Sequence, residues 1–497
     1  MPPPDDCPAI ADCRAARIRL SERWWLVALV VGLLVWGLTD VRRRAVIDPD
    51  NEHVHRTDLT VFTAAGAAFF TDQDPYSLEN PRRWKYPYPP LFALAMTPLS
   101  FLPSTWQAVT WFLFSLALAY GSWHQCVLVS RSLGYDVRIT RLNASPARWI
   151  GMAAIVAVSL PALNCLQRGQ VGILKLYFLL LGFRLMLEAR GWFRAFLGAA
   201  VFSLPTAVKV TPILPLCLVT FMFALSKGLE RPRPPSVQRA AAYPLGACFG
   251  LVLFLLLLPA ALIGWNKNIE HLQTWYERVA TMAVHVDPRG QVDSPYTPRN
   301  QSLANATHRL ANWASYLMVR GPNDPVLQPD LPMLVMPMDL APRELPLNCL
   351  KLLAVMLALA VCIVAGIRGD RLGQAAAFGL ATAATLIVSP VSRGHYFVLL
   401  LPALVWVPCW LRRQGFRGTC GLLSALAPIL LWLHYVALDW TGQIGLLGLG
   451  TTLWFFLAAA WMLLGSLRPR EQAGQIPQLY SFPRQPRSIS APSRLAA

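Results

Sequence analysis

Asp58, Arg168, Lys209, Asn300, Gln301, Arg309, Arg393 and His395 are the polar residues best suited by type and setting to act on a substrate. They comprise one carboxylate, four cations, two amides and an imidazole. A carboxylate at a membrane–water boundary can take a proton from a hydroxyl. Cations and hydrogen-bond donors can meet negative charge as it develops. Asp58 stands in Arg56-Thr57-Asp58-Leu59-Thr60-Val61-Phe62, ahead of an apolar helical run that reaches Phe70. An N-cap there is worth about 1 kcal/mol; capping and proton removal are compatible roles, and both stay open. Asp74-Pro75-Tyr76-Ser77 reads as a turn, and Tyr86-Pro87-Tyr88-Pro89-Pro90 as a rigid aromatic wall. Arg168-Gly169-Gln170 precedes the fourth apolar span. Lys209 falls at the end of the fifth, near Pro205 and Pro212, where it can also snorkel. Asn300-Gln301-Ser302-Leu303 is followed by Arg309, and Ser389-Pro390-Val391-Ser392-Arg393-Gly394-His395 joins the ninth and tenth spans.

The elements that must position these groups are membrane helices. The chain has 497 residues, is 55% hydrophobic and carries only 14% charged residues, too few to cover a soluble protein of this size. Spanning the hydrocarbon takes roughly 20 apolar residues. About twelve candidate spans fit, at 24–39, 106–129, 148–162, 170–188, 195–208, 211–226, 240–263, 347–367, 373–389, 396–411, 419–437 and 444–466. The stretch 91–102, with Pro98 and Pro103, is too short to cross and reads as re-entrant or interfacial. The reading is an all-α integral membrane protein with an N-terminal tail (1–23), a transmembrane domain (24–466) and a polar tail (467–497) expected to be disordered.

Loop charge orients the bundle. Arg14, Arg17, Arg19 and Arg23 precede the first span, and every second loop after it carries arginine. Examples are Arg131 with Arg138, Arg190 with Arg194, Arg368 with Arg371, and Arg412 with Arg413. The positive-inside rule then puts both termini in the cytoplasm. Two long segments, 40–105 and 264–346, and all eight reactive residues fall outside. The expectation is a multi-pass cell-membrane protein working at its outer, periplasmic or extracytoplasmic face. Arg42, Arg43 and Arg44 also fall outside, as lipid-phosphate ligands or as solvated anchors.

Several classes are disfavoured. The net charge of +18 is dealt out in small lots to membrane edges, with no basic stripe, so nucleic acid is not expected. The ten cysteines lack any CxxC pair and read as apolar filler. No GxGxxG or P-loop is present, so no nucleotide motif is expected. His53-x-His55 with Asp58 offers divalent-metal ligand types at short spacing, but Asp48, Asp50 and Glu52 beside them favour a solvated loop; no metal or other cofactor is expected.

The ordered motifs carry a resemblance. Asp58, Asp74-Pro75-Tyr76, Tyr88-Pro89-Pro90 with Pro98, Gly169-Gln170, Lys209 with Pro212, Asn300-Gln301-Ser302-Leu303, and Ser389-Pro390 with His395 together resemble glycosyltransferase family 87, over roughly residues 24–466. These are polyprenyl-phosphate-mannose-dependent mannosyltransferases of the GT-C superfamily. The resemblance implies a GT-C polytopic helical bundle with a polyprenyl-phosphate sugar as donor and a lipid or glycan as acceptor. It also implies an aspartate base in the first outer loop, which maps onto Asp58. Lys209, His395 and Arg393 are then expected at the donor phosphate. Asp74, Tyr76, Tyr88, Gln170, Asn300, Gln301 and Arg309 are expected at the substrates. The alternative is a transporter or flippase of lipid-linked sugars. It would place ionisable groups near the bilayer midplane, where Lys175 and Arg184 are the main candidates.

Overall fold

The computed structural model describes residues 28, 30–71, 73–138, 145–228, 234–280, 300–307, 310, 341–437, 441–442 and 444–468. Regular structure among them is helical apart from two isolated bridges, Glu79–Lys85 and Asn300–Arg393. In hydrocarbon every backbone N–H and C=O needs a partner, and a helix supplies them all within one segment. Each of the twelve apolar stretches accordingly contains a described helix. The protein is an all-α polytopic membrane protein, and among the described residues eight helices are long and apolar enough to cross a bilayer.

In chain order, α1 covers 30–45, α2 Leu59–Ala68, α3 Pro90–Ser100, α4 Ser104–Ser132, α5 Pro146–Gln167 and α6 Gly172–Leu187. Next come α7 Trp192–Val208, α8 Ile213–Gly228 and α9 Pro234–Val252, which runs through a π-helical turn at Leu253–Leu257 into α10 Leu258–Ile263. The amphipathic α11 follows at Trp265–Trp275. The second half holds α12 Ala341–Arg368, α13 Arg371–Val388, a 3-10 segment Gly394–Leu400 leading into α14 Leu401–Arg413, α15 Arg417–Val436 and α16 Leu446–Ser466.

The centre is α13 beside α14, both buried almost all round. With lipid on the outside there is little hydrophobic drive between helices, so close backbone approach must supply the packing. The alanine-rich face of α13 provides it. A Cβ on Gly379 would stand 2.5 Å from Ala403 Cα on α14. A second core joins α1, α2 and α3 to an aromatic cluster of Phe62, Tyr76, Tyr86, Tyr88, Phe92 and Trp111. The 90–100 stretch is thus a helix packed on α2 and buried by protein. Helix α1 continues to Ala45 because Asp40 pairs with Arg44 (2.6 Å) and Arg43 (3.3 Å) one turn on. Two of the three adjacent arginines are therefore engaged with the protein.

The basic loops meet at one end of the bundle. Arg413 pairs with Asp370, which caps α13; Arg371 donates to Leu187 O; and Arg468 donates to Gln414 O. The opposite end gathers the start of α2 and the α5–α6, α7–α8 and α13–α14 turns.

Candidate functional site

Asp58 occupies the N-cap position of α2, but its carboxylate makes no capping hydrogen bond. The first-turn N–H of Leu59 donates instead to Thr57 Oγ1 (3.2 Å). Asp58 is buried and faces the guanidinium of Arg168, with Oδ1 3.7 Å from Nη2. The capping alternative is thus answered by the neighbouring threonine, which leaves the carboxylate to other partners.

Arg168 is held by the end of α5. Gly169 N donates to Leu166 O and Gln170 N to Cys165 O, the paired closure of a helix that ends on a left-handed residue. Gly169 is that residue, at φ +65°, and a Cβ on it would lie 2.9 Å from Leu59 Cβ and 3.0 Å from Thr57 Oγ1. The turn is therefore seated on the first residues of α2. Asp58 N donates to Arg168 O (3.0 Å), and the Arg168 guanidinium lies over the Trp84 ring at 5.0 Å. Asn80 Nδ2 donates to Thr57 O (3.3 Å), tying the Trp84 loop to the same strip of backbone.

Lys209 is where α7 ends. Pro205 lies one turn earlier, and the chain turns extended at Lys209. Its ammonium donates to Tyr396 Oη and lies 4.1 Å from the Tyr396 ring centroid and 5.0 Å from that of Tyr88. Tyr88 is buried, and its Oη is 3.5 Å from Gln170 Oε1. Burial pushes its phenol well above the ordinary value, and Tyr396 and the Asp58 carboxylate add to the effect. Tyr88 is therefore a neutral hydroxyl throughout the physiological range. The charged groups facing buried His395 are Arg168, Arg393, Lys209 and Lys175. His395 Nε2 is buried without a hydrogen-bond partner.

Asn300 and Gln301 fasten this end of the bundle. Asn300 Oδ1 accepts from Ser392 N (3.0 Å) and Ser302 N (3.0 Å), and its amide donates to Pro390 O (3.3 Å). Gln301 N donates to Ser392 O (2.7 Å), while its side chain donates to Gly442 O (3.0 Å) and accepts from Leu447 N (3.3 Å). These contacts fix the turn that carries Arg393 and His395. Asp74 caps its own turn, accepting from Tyr76 N (3.0 Å), and pairs with Arg278 at 2.5 Å. Tyr76 donates to Tyr88 O (3.3 Å), so it braces the aromatic wall. Arg309 lies outside the described residues.

The structure therefore brings Asp58, Tyr88, Gln170, Lys209, Arg393 and His395 to one place, with Asn300 and Gln301 beneath the turn and Asp74 at the rim. Sequence reasoning left out Tyr396 and Trp84, whose neighbours are distant in the chain. Lys175 was visible only as a mid-span charge. His53 is exposed, whereas His55 is buried on Thr60 (Nε2–Oγ1 2.8 Å). Among the described residues no three His, Cys, Asp or Glu side chains gather as a metal site. The eight described cysteines are free.

One carboxylate among several cations, at the end of a helical bundle, can deprotonate a hydroxyl while holding an anion. No curated protein and no solved structure matches this chain. A profile of glycosyltransferase family 87 matches residues 86–390, more than half of the sequence and most of the helices that build the site. Arg393 and His395 stand just beyond the matched stretch and Asp58 well before it, but the contacts above join them to it. The chain belongs to glycosyltransferase family 87 and is a membrane glycosyltransferase.

Proposed function

We propose that this enzyme, built on the GT-C plan, moves a hexose, mannose in our reading, from a polyprenyl-phosphate carrier to an acceptor hydroxyl at the outer membrane face. The observation that carries the proposal is the pairing of one buried carboxylate, Asp58, with Arg168, which together with Arg393 and Lys209 also faces His395. Asp58 removes the acceptor proton, and the acceptor oxygen attacks the anomeric carbon. The bond from that carbon to the phosphate oxygen breaks, and the electron pair leaves with the lipid phosphate. Lys209, Arg393 and His395 meet the charge that develops there. One base and one displacement give inversion; a double displacement needs a second, nucleophilic group on the far face of the sugar. The basic loops at the other end of the bundle support the outer-face orientation. Asp74 is engaged by Arg278 and its own turn, which argues against it as that second group. Tyr76, Tyr88, Gln170, Asn300, Gln301 and Arg309 line or brace the substrate sites in this reading.

The test is purified Asp58→Asn protein incubated with radiolabelled polyprenyl-phosphate hexoses and a membrane lipid extract. General-base help is worth roughly 10²–10⁴ in rate. Turnover is expected to fall by that factor while donor binding persists. Transfer at the wild-type rate would remove Asp58 as the base. No labelled product from wild-type protein with any polyprenyl-phosphate hexose would remove the donor assignment.

A further inference from the structure

Lys175 is the unexpected charge in this bundle. It lies in the first turn of α6, 1% exposed, and its Nζ donates to Thr211 Oγ1 at 3.3 Å. The ammonium sits 5.1 Å from the Tyr396 ring centroid, and Lys209 sits 4.1 Å from the same ring. The ionisable groups facing Lys175 are Lys209 and the Cys165 thiol, and among the described residues it forms no ion pair with a carboxylate. A buried ammonium is costly unless paired, and a like charge beside it adds to the cost. Intramembrane charges of this kind mark functional sites by default. The orphaned Nε2 of His395 is an independent observation in the same place, since His395 faces both lysines. A buried cation without a counter-charge among the described residues calls for an anion, and the unpartnered imidazole nitrogen beside it leaves a hydrogen bond open to the same ligand.

The charge of that anion follows from the reaction. A polyprenyl-phosphate sugar is a phosphodiester with one negative charge. When the bond from the anomeric carbon to oxygen breaks, the electron pair stays on the phosphate oxygen. The acceptor proton goes to the Asp58 carboxylate, and the diester monoanion becomes a monoester dianion. Lys209 and Arg393 already meet the single charge of the donor; a second ammonium is drawn about twice as strongly to the dianion as to the monoanion at the same distance. Resting on the proposed function, we propose that Lys175, with Lys209 and His395, forms a subsite selective for the phosphate monoester dianion, the leaving lipid phosphate. Lys175 then acts on the transition state and product more than on the bound donor, which places its effect on kcat.

The test compares short-chain polyprenyl phosphate with its methyl phosphodiester as ligands of the full-length protein in detergent, by calorimetry. Wild-type protein is expected to bind the monoester at least tenfold more tightly. The preference should shrink below about pH 6, where the monoester takes up a proton. Lys175→Met removes the charge and fills the space; it should reduce the preference by about tenfold to 10²-fold, as for a lost charge-assisted hydrogen bond. Lys175→Arg should keep much of it. Lys175→Gln serves the same comparison if the methionine variant does not elute as a folded protein. An unchanged preference in the uncharged variants, or none in wild type, overturns the subsite. Turnover of polyprenyl-phosphate hexose by wild type tests the enzymatic reading separately, because the binding comparison needs no sugar transfer. With turnover present, Lys175→Met should lower kcat while leaving the donor KM within about twofold. A rise in KM at constant kcat would assign Lys175 to ordinary donor binding and defeat the proposal.

Discussion

Gly169→Ala offers a direct test of how the Arg168 turn sets the site. The residue sits at φ +65°, where an alanine costs about 1–2 kcal/mol. The new methyl would also stand 2.9 Å from Leu59 Cβ and 3.0 Å from Thr57 Oγ1. Carbon atoms prefer a separation of about 3.5–4.0 Å, so the turn and the start of α2 must part by roughly 0.6–1 Å. The same two segments are joined by the hydrogen bond from Asp58 N to Arg168 O and by the Asp58–Arg168 ion pair, which the shift would disturb. Misplacing reacting groups by about 1 Å can cost on the order of 10² in rate. Gly134→Ala is the control. It has φ +86° with nothing within 4 Å of the new methyl, and it lies at the basic end of the bundle. Both variants should lose about 1–2 kcal/mol to backbone strain, and Gly169→Ala more, because only its methyl meets neighbours. Only Gly169→Ala should lose activity, by about 10²-fold, in an assay of radiolabelled hexose transfer run beside thermal-shift measurements. Equal activity in the two variants would show that the turn does not hold the site.

Other consequences follow from the same contacts. Asn300→Ala strands the N–H groups of Ser392 and Ser302, so it should destabilise the protein by about 1–3 kcal/mol, read as a lower midpoint in thermal unfolding. Arg278→Ala breaks an exposed pair with Asp74 and should change stability by at most about 1 kcal/mol and leave turnover intact. Burial holds the His55 imidazole below its ordinary value of 6.5. Its contribution to stability is therefore complete above that pH and is lost as the pH falls through the lowered value. His55→Gln should flatten the thermal-stability profile on the acid side of 6.5, and an unchanged acid limb would show that His55 is not responsible. For topology, Gly290→Cys in a background without the ten native cysteines should react with an impermeant thiol reagent from outside. Labelling only from the cytoplasmic side would reverse the orientation.

Much of the architecture was legible in the chain because membrane insertion is governed by local rules. Twenty apolar residues demand a helix wherever they occur, and arginine at every second loop alternates the two ends. The same alternation put Asp58, Arg168, Lys209 and His395 at a common end before any contact was known. Sequence also flagged Gly169-Gln170, although its reason is tertiary: only a left-handed glycine lets the α5 turn sit on Thr57 and Leu59. Other features depended on residues far apart in the chain. Thr57 takes over the cap from Asp58, which the Asp-Leu-Thr spacing alone did not reveal. Asn300 and Gln301 looked like ligands, yet apart from the bond from Ser302 N to Asn300 their described side-chain bonds run to backbone 90 to 146 residues away, which anchors the turn that carries Arg393. Lys175 read as one more mid-span charge. Its meaning depends on Tyr396 and Lys209, which chain folding alone brings to the same ring. Local pattern thus determined the helices and which ends of them share the polar residues, while long-range packing decided which polar groups satisfy one another and which are left without a protein partner.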